Sequence, residues 1–179
     1  MAHFLESERL YLRAVEESDL TDSYVAWMND PQINQFMETW HFPHGKENIR
    51  AYIKAHYDDR DEPFLAICIK NTFLVDAIHI GNIKLGPINW VHRYADISIF
   101  IGEKKLWGRG YATEAIKLIT EYAFKKLGLH KVKSGIYSLN TGSIKAFERA
   151  GFNIEAILPS HVFYDGRWLN LYLMGKLNV

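Results

Sequence analysis

Apolar residues along the chain recur with a period near two in some stretches and near 3.6 in others, and the changes of period outline the elements. Leu10-Tyr11-Leu12-Arg13 reads as a first strand. Glu16-Glu17-Ser18-Asp19 then offers polar caps ahead of Leu20, Tyr24 and Trp27, which are spaced for a short helix that Asp30-Pro31 breaks. A polar, aromatic segment at 33–44 leads into a second helix, with Ile49, Tyr52, Ile53, His56 and Tyr57 at helical spacing. Residues 64–70 and 74–85 read as strands joined by Asn71-Thr72 into a hairpin, with Gly81 a weak point and Gly86-Pro87 an end.

In 94–101 the alternation puts Ala95, Ile97, Ile99 and Ile101 on one face and Asp96, Ser98 and Phe100 on the other. The helix pattern that follows carries Ala112, Ala115, Ile116, Ile119, Ala123 and Leu127 on one stripe, with Lys125-Lys126 suiting the negative dipole end before Gly128. Residues 132–137 form the next strand, and the interposed helix makes it parallel to the strand at 94–101. Asn140 or Thr141 caps a helix running through Ile144 and Phe147 to Ala150, closed by Gly151. The chain ends with 154–158, a polar Pro159-Ser160-His161, and strand-like runs at 161–164 and 168–177 about Asp165-Gly166, a strong hairpin signal. This order is mixed α/β. Without a repeat, low-complexity tract or linker to divide it, one domain over residues 1–179 is expected.

Composition narrows the function classes. At 179 residues and 48% hydrophobic content, one domain can bury a real core. The 21 basic and 21 acidic residues cancel and no basic run exceeds two residues, so the expected partner is a small molecule rather than nucleic acid. Cys68, the only cysteine, lies in an apolar run, which excludes an internal disulfide and suits a buried thiol in a reducing cytoplasm. The N-terminus lacks the pattern of a signal peptide and no apolar run approaches spanning length, so a soluble protein with no membrane partner is expected.

Candidate chemistry centres on 105–115, Lys-Leu-Trp-Gly-Arg-Gly-Tyr-Ala-Thr-Glu-Ala, a glycine turn between a strand and a helix. Gly108 and Gly110 permit a turn whose N–H groups point into one hollow, the helix adds its positive end, and Arg109 adds a charge, a combination suited to a phosphate or pyrophosphate. The alternative is that the two glycines only shape the turn. No Lys-Ser or Lys-Thr follows, so this is not a P-loop, and no third glycine completes a dinucleotide fingerprint.

The stretch resembles the pyrophosphate loop of the GNAT superfamily of N-acetyltransferases: Gln or Arg, two residues, Gly, one residue, then Gly or Ala. Lys105, Gly108 and Gly110 match it, with Lys105 departing from Gln or Arg. Asn140, Ser143 and Gly151-Phe152 extend the resemblance over nearly the whole chain, toward the RimJ/RimL-type branch. The resemblance implies the GNAT fold: a central, mostly antiparallel sheet with a splayed parallel strand pair, flanking helices, and a bulge in the strand before the loop. It also implies acetyl-CoA as co-substrate; no metal is expected, because the histidine spacings match no zinc pattern and only a single cysteine could join them. The coenzyme would lie along Ile99, Phe100 and Ile101, on the loop residues Lys105, Trp107, Gly108, Arg109, Gly110, Tyr111, Ala112 and Thr113, and against Asn140, Ser143 and Phe147. The early helices would shape the acceptor pocket, with Trp40, His41, Phe42 and His44 lining it, unless these residues serve only packing.

Transfer to an amine needs a base, because an ammonium of pKa about 10.4 is roughly one part in a thousand neutral at pH 7, a penalty of about 4 kcal/mol. Asp96 is the candidate, directly or through water: it is a lone carboxylate in an apolar strand, and Ala95-Asp96-Ile97 resembles the Ala-Glu-Ile context of RimJ/RimL-type relatives. The alternative is a surface pair with Arg93 or a lysine, which leaves Glu103 as the second candidate. Phe147 stands where one GNAT pattern has a tyrosine acid and cannot donate a proton; the RimJ/RimL-type branch resembles this chain better, and that resemblance implies that Asn140 hydrogen-bonds the pantetheine arm and Ser143 lies near the thiol. Helix capping is the competing role for both. His79, His92, His130 and His161 match no zinc spacing, and no Gly-x-Ser-x-Gly elbow occurs.

The expected activity is acetyl transfer to a primary amine, either of a small molecule (an amino sugar, a polyamine) or of a protein N-terminus. Neutral charge and the aromatic segment favour the small molecule. The alternative is a non-catalytic acyl-CoA-binding regulatory module. Oligomeric state is open and leaves room for a homodimer.

Overall fold

A computed structural model describes residues 3–70 and 78–179. The expected turn at Asn71-Thr72, and the start of the strand expected from Leu74, lie outside the described residues.

Among the described residues eight strands form one sheet: β1 (Leu5–Glu6), β2 (Leu10–Ala14), β3 (Phe64–Ile69), β4 (Ile78–Asn89), β5 (Tyr94–Ile101), β6 (Lys131–Tyr137), β7 (Asn153–Tyr164) and β8 (Arg167–Leu177). Their order is β1-β2-β3-β4-β5-β6-β8-β7. Neighbours run antiparallel except β5 and β6, whose parallel direction follows from the helical crossover between them. The helices are α1 (Asp22–Asn29), α2 (Pro31–Asn34), α3 (Lys46–Ala55), α4 (Tyr111–Lys125) and α5 (Thr141–Arg149).

The two faces of the sheet carry different cores. Ala115, Ile116, Ile119 and Ala123 of α4 are fully buried and pack with Leu10, Leu12, Ile83, Leu85 and Ile97. Full burial of each isoleucine contributes about 1.5–3 kcal/mol, so the stripe seen in the sequence is what fixes α4 to the sheet. On the opposite face Tyr24, Ile49 and Ile53 pack with Tyr11, Ala66 and Cys68, and Phe100 joins them. Phe100 and Ile99 thus face opposite ways, as the alternation in β5 requires.

Several expected boundaries move for local reasons. The Glu16–Asp19 segment does not cap α1: residues Glu17–Asp19 form a separate 3₁₀ turn, and Thr21 caps α1 by accepting the Tyr24 N–H at 3.2 Å. Asp30-Pro31 does not lead into a loop, because the Asp30 carboxylate accepts the Gln32 N–H at 2.9 Å and starts α2 at once, with Pro31 in its first turn. Helix α3 stops at Ala55, which leaves His56 and Tyr57 beyond it.

Gly86-Pro87 does not end a strand either. The register passes from Leu85↔Ile97 to Ile88↔Ala95, so the surplus residue sits on β4 and the strand continues to Asn89. Proline has no N–H to give a ladder, and a bulge is where a sheet tolerates it. The bulge expected within β5 therefore lies across from it, and the alternation of β5 is unbroken. Pro159 is absorbed in the same way: β7 is one strand at the sheet edge, with a register shift between Leu158 and Val162. Asp165 and Gly166, with φ of 45° and 76°, make the two-residue turn between β7 and β8.

A buried polar group underlies α1. Arg13 donates to both carboxylate oxygens of Asp19 at 2.7 and 2.6 Å, and His79 Nδ1 lies 3.7 Å from the same carboxylate, with Nε2 2.9 Å from the Gly81 carbonyl oxygen. Burial pushes the His79 pKa below its ordinary 6.5, against the pull of Asp19. The folded state thus holds this imidazole neutral while the unfolded chain protonates it near pH 6.5, so stability is full above that value and falls as the pH drops toward the folded pKa. Denaturant midpoints at pH 7.5 and 5.5 should differ in the wild type and converge in His79→Gln. Equal differences in both proteins would assign the acid sensitivity to another group.

Candidate active site

The glycine turn shows the backbone its sequence demands. Gly108 and Gly110 adopt φ of 75° and 85°, Gly110 is the N-cap of α4, and no side chain caps that helix. A Cβ at Gly108 would meet nothing within 4 Å, so the turn opens onto free space. Uncapped N–H groups at the positive end of a fifteen-residue helix suit an anion such as a pyrophosphate. Trp107 secures the turn to the end of β5 by donating its indole N–H to the Ile101 carbonyl at 2.8 Å.

Arg9, which no sequence motif singles out, clamps this turn. Its Nε donates to Glu114 at 2.7 Å, its Nη1 donates to the Arg109 carbonyl at 3.0 Å, and its guanidinium lies 4.6 Å from the centre of the Tyr111 ring. Burial alone would raise the Glu114 carboxyl, but hydrogen bonds from Ser7 and Arg9 outweigh it and hold the group below its ordinary value. Arg9→Met should keep the stem and lose the clamp. Loss of about 1–1.5 kcal/mol of loop ordering would weaken coenzyme binding about tenfold by calorimetry. Unchanged affinity in a folded variant would leave Arg9 a surface residue only.

Two cavities flank β5. One, of about 600 Å³, is lined by Ile99, Phe100, Ile101, Trp107, Gly108, Gly110, Tyr111, Ala112 and Thr113, and across from them by Asn140, Ser143, Lys145 and Arg149. The other, of about 830 Å³, is lined from α1, the 34–44 segment and α3 by Tyr24, Phe36, Met37, Glu38, Thr39, His44, Asn48 and Tyr52, and from the sheet by Asn82, Lys84, Asp96, Ser98 and Tyr137. They meet at Phe36, Met37, Ile99, Phe100, Asn140 and Ser143, which line both.

The expected site residues divide between the cavity walls and positions outside them. Lys105 and Arg109 line neither cavity. The cations at the loop-side cavity are Lys145 and Arg149, one turn apart on α5, whose i, i+4 spacing is the signal that could have found them. Phe147 is 1% exposed, packs edge-on against Phe152 at 5.0 Å, and borders the larger cavity rather than the loop side. Trp40, His41 and Phe42 line neither cavity. Trp40 lies 5.7 Å from the Tyr164 ring and His41 6.4 Å from Phe163, so these two residues pack on the β7–β8 hairpin while Phe42 is 71% exposed. Of the four residues expected to line the acceptor pocket only His44 reaches the cavity, alongside the unforeseen Phe36, Met37, Glu38 and Thr39 of the same segment.

Between the cavities the sheet opens. β5 and β6 pair at Tyr94↔Lys131, Ala95↔Val132 and Asp96↔Lys133, and no further. From Ile97 onward β5 keeps its ladder with β4 alone, so its other edge is free to pair with an extended ligand. Asp96 stands at the last paired position, its carboxylate 2.9 and 3.1 Å from the Lys133 ammonium. Arg93 is not its partner, because that guanidinium donates to the Leu127 and Gly128 carbonyls at the end of α4. Glu103 lines neither cavity. The Asn140 side chain accepts the Ser143 N–H at 3.1 Å, so the capping role is filled at the same place where both residues face the junction.

Histidine and carboxylate donors gather away from this site. His56, Asp59 and Glu62 bring one donor atom each within 4.8 Å, but the Lys84 ammonium already pairs with Glu62.

Comparison with known proteins agrees with this geometry. Residues 9–153 match the acetyltransferase (GNAT) domain family. The chain is 26% identical over 180 residues to the probable N-acetyltransferase YjcK of Bacillus subtilis, covering 97% of each chain. It is 28% identical over 167 residues to the spermidine N(1)-acetyltransferase of Escherichia coli K12, covering 93% of this chain and 81% of the relative. Among solved structures it is similar to the spermidine N-acetyltransferase of Vibrio cholerae in complex with CoA and spermine, with a TM-score of 0.81, 26% identity, and coverage of 94% and 95%. With the loop, the open strand pair and the family match together, the chain belongs to the GNAT acetyltransferase family and is an acetyl-CoA-dependent N-acetyltransferase.

Proposed function

We propose that this enzyme acetylates a primary amine of a small molecule, with the coenzyme in the loop-side cavity and the amine in the larger one. The observation that carries this reading is the junction at Ile99, Phe100, Asn140 and Ser143, where a thioester and an amine entering from opposite sides would meet. The pyrophosphate would rest on the N–H groups of 108–113, the pantetheine arm along the free edge of β5 near Asn140, and the thioester oxygen against β5 backbone N–H groups.

Asp96 would act as the base. It lies three residues before Ile99, about 10 Å along an extended strand, and its side chain faces the acceptor cavity. That span favours a water relay over direct contact. The ammonium gives one proton to the carboxylate through water, the free amine attacks the thioester carbon to form the C–N bond, the C–S bond breaks as the carbonyl re-forms, and the nitrogen's second proton passes to the departing thiolate, a transfer that the Ser143 hydroxyl can relay. A thiol near pKa 8.5 leaves readily, so Ser143 assists rather than governs the rate.

Asn140, Ser143 and Asp96 support placement in the RimJ/RimL-type branch, and relatives named for spermidine support a small amine as acceptor. The buried free thiol of Cys68 fits a cytoplasmic enzyme acting as one domain. Release of thiol from acetyl-CoA across amino sugars, polyamines, aminoglycosides and N-terminal peptides tests the proposal. Turnover confined to peptides would refute it.

A further inference from the structure

We infer that the acceptor is a monoamine on a neutral, hydrogen-bonding body, such as an amino sugar, rather than a polyamine, and that Glu38 is the carboxylate that draws it in. This rests on the reading of the 830 Å³ cavity as the amine site.

The cavity's charges lead to it. Its lining holds two carboxylates, Glu38 and Asp96, and one lysine, Lys84. Asp96 is already matched by Lys133, and Lys84 by Glu62, which lies outside the lining. Among the described residues Glu38 makes no ion pair, so it is the one carboxylate of the cavity without a cation. It follows Met37, a junction residue, and so stands beside the place where the amine must arrive. A polyamine carries several ammonium groups, and each one beyond the first would be desolvated without an unmatched counter-charge.

The rest of the wall suits a neutral body. Tyr24, Tyr52 and Phe100 contribute aromatic lining, while Asn48, Thr39 and Asn82 contribute amide and hydroxyl residues. Asn82 is 1% exposed and, among the described residues, its carboxamide oxygen has no hydrogen-bond partner, a cost that a ligand hydroxyl or N–H would remove.

The test compares kcat/KM for spermidine, glucosamine, a nucleotide-linked amino sugar and tyramine in the wild type, Glu38→Gln and Lys133→Met, with acetyl-CoA affinity by calorimetry. The wild type should prefer at least one monoamine over spermidine by about tenfold or more. Glu38→Gln should raise the KM for that monoamine about tenfold and leave coenzyme affinity unchanged. Lys133→Met frees Asp96 as a second negative charge, and should raise the ratio of spermidine to monoamine kcat/KM several-fold. Spermidine preferred by the wild type, or a monoamine KM indifferent to Glu38→Gln, overturns the inference while leaving the small-amine reading in place. No turnover of any amine by a protein that binds acetyl-CoA overturns both.

Discussion

Asp96→Asn should lower the turnover of a saturating amine by about 10²- to 10⁴-fold near neutral pH while coenzyme affinity survives, because asparagine keeps the shape and loses proton acceptance. Asp96 stands at the last β5–β6 pair, faces the acceptor cavity, and among the described residues has only the partly exposed Lys133 as partner, so the variant leaves an ammonium that water can solvate. Folding should therefore persist, which a denaturant midpoint checks. The loss should shrink as the pH approaches the amine's own pKa, since the amine then arrives neutral and needs no base. A structural role predicts otherwise: an ion pair with Lys133 that merely closes the sheet would cost the same activity at pH 7 and pH 9.5. That result would hand the base to a solvent chain or to another carboxylate of the cavity.

The second large effect concerns Gly110→Val. At φ 85° a branched side chain is strained by about 1–2 kcal/mol, and its Cβ would sit 3.4 Å from the Arg9 guanidinium that clamps the turn. It would also stand over the N–H groups at the start of α4, where charge-assisted hydrogen bonds to a phosphate are worth about 1.5–3 kcal/mol each. Together these predict a coenzyme dissociation constant raised about 10²- to 10³-fold. Calorimetry on a variant with normal circular dichroism decides it, and an unchanged constant would remove the pyrophosphate from this turn.

What could be read from the sequence was local. The glycine turn, the buried stripe of α4, the Asn140 cap and the Asp165-Gly166 turn each follow from residues a few positions apart, and each stands where expected. Asp96 was legible as a carboxylate out of place in an apolar strand. Its partner was not, because Lys133 meets it only through a parallel register 37 residues away. Arg9 escaped for the same reason, being 105 residues from Glu114. The aromatic segment misled in another way: composition cannot say which side chains of a short 3₁₀ turn face a cavity, and here the hairpin of β7 and β8 takes Trp40 and His41 while Glu38 and Thr39 take the cavity. Pro87 suggests a strand end by sequence although a bulge carries it in the fold, since proline reports only a missing N–H and not how the sheet accommodates it.

The most direct test of acetyl transfer at the β5–β6 junction uses acetyl-CoA carrying ¹³C in the acetyl group, incubated with the enzyme and a primary amine, with amide and free thiol quantified together by mass spectrometry and thiol titration. The labelled acetyl should appear on the amine with one thiol released per amide, and both signals should fall together in Asp96→Asn. Coenzyme bound by calorimetry with neither amide nor thiol formed, across the amine panel, would contradict this and leave a chain that holds the coenzyme without transferring from it.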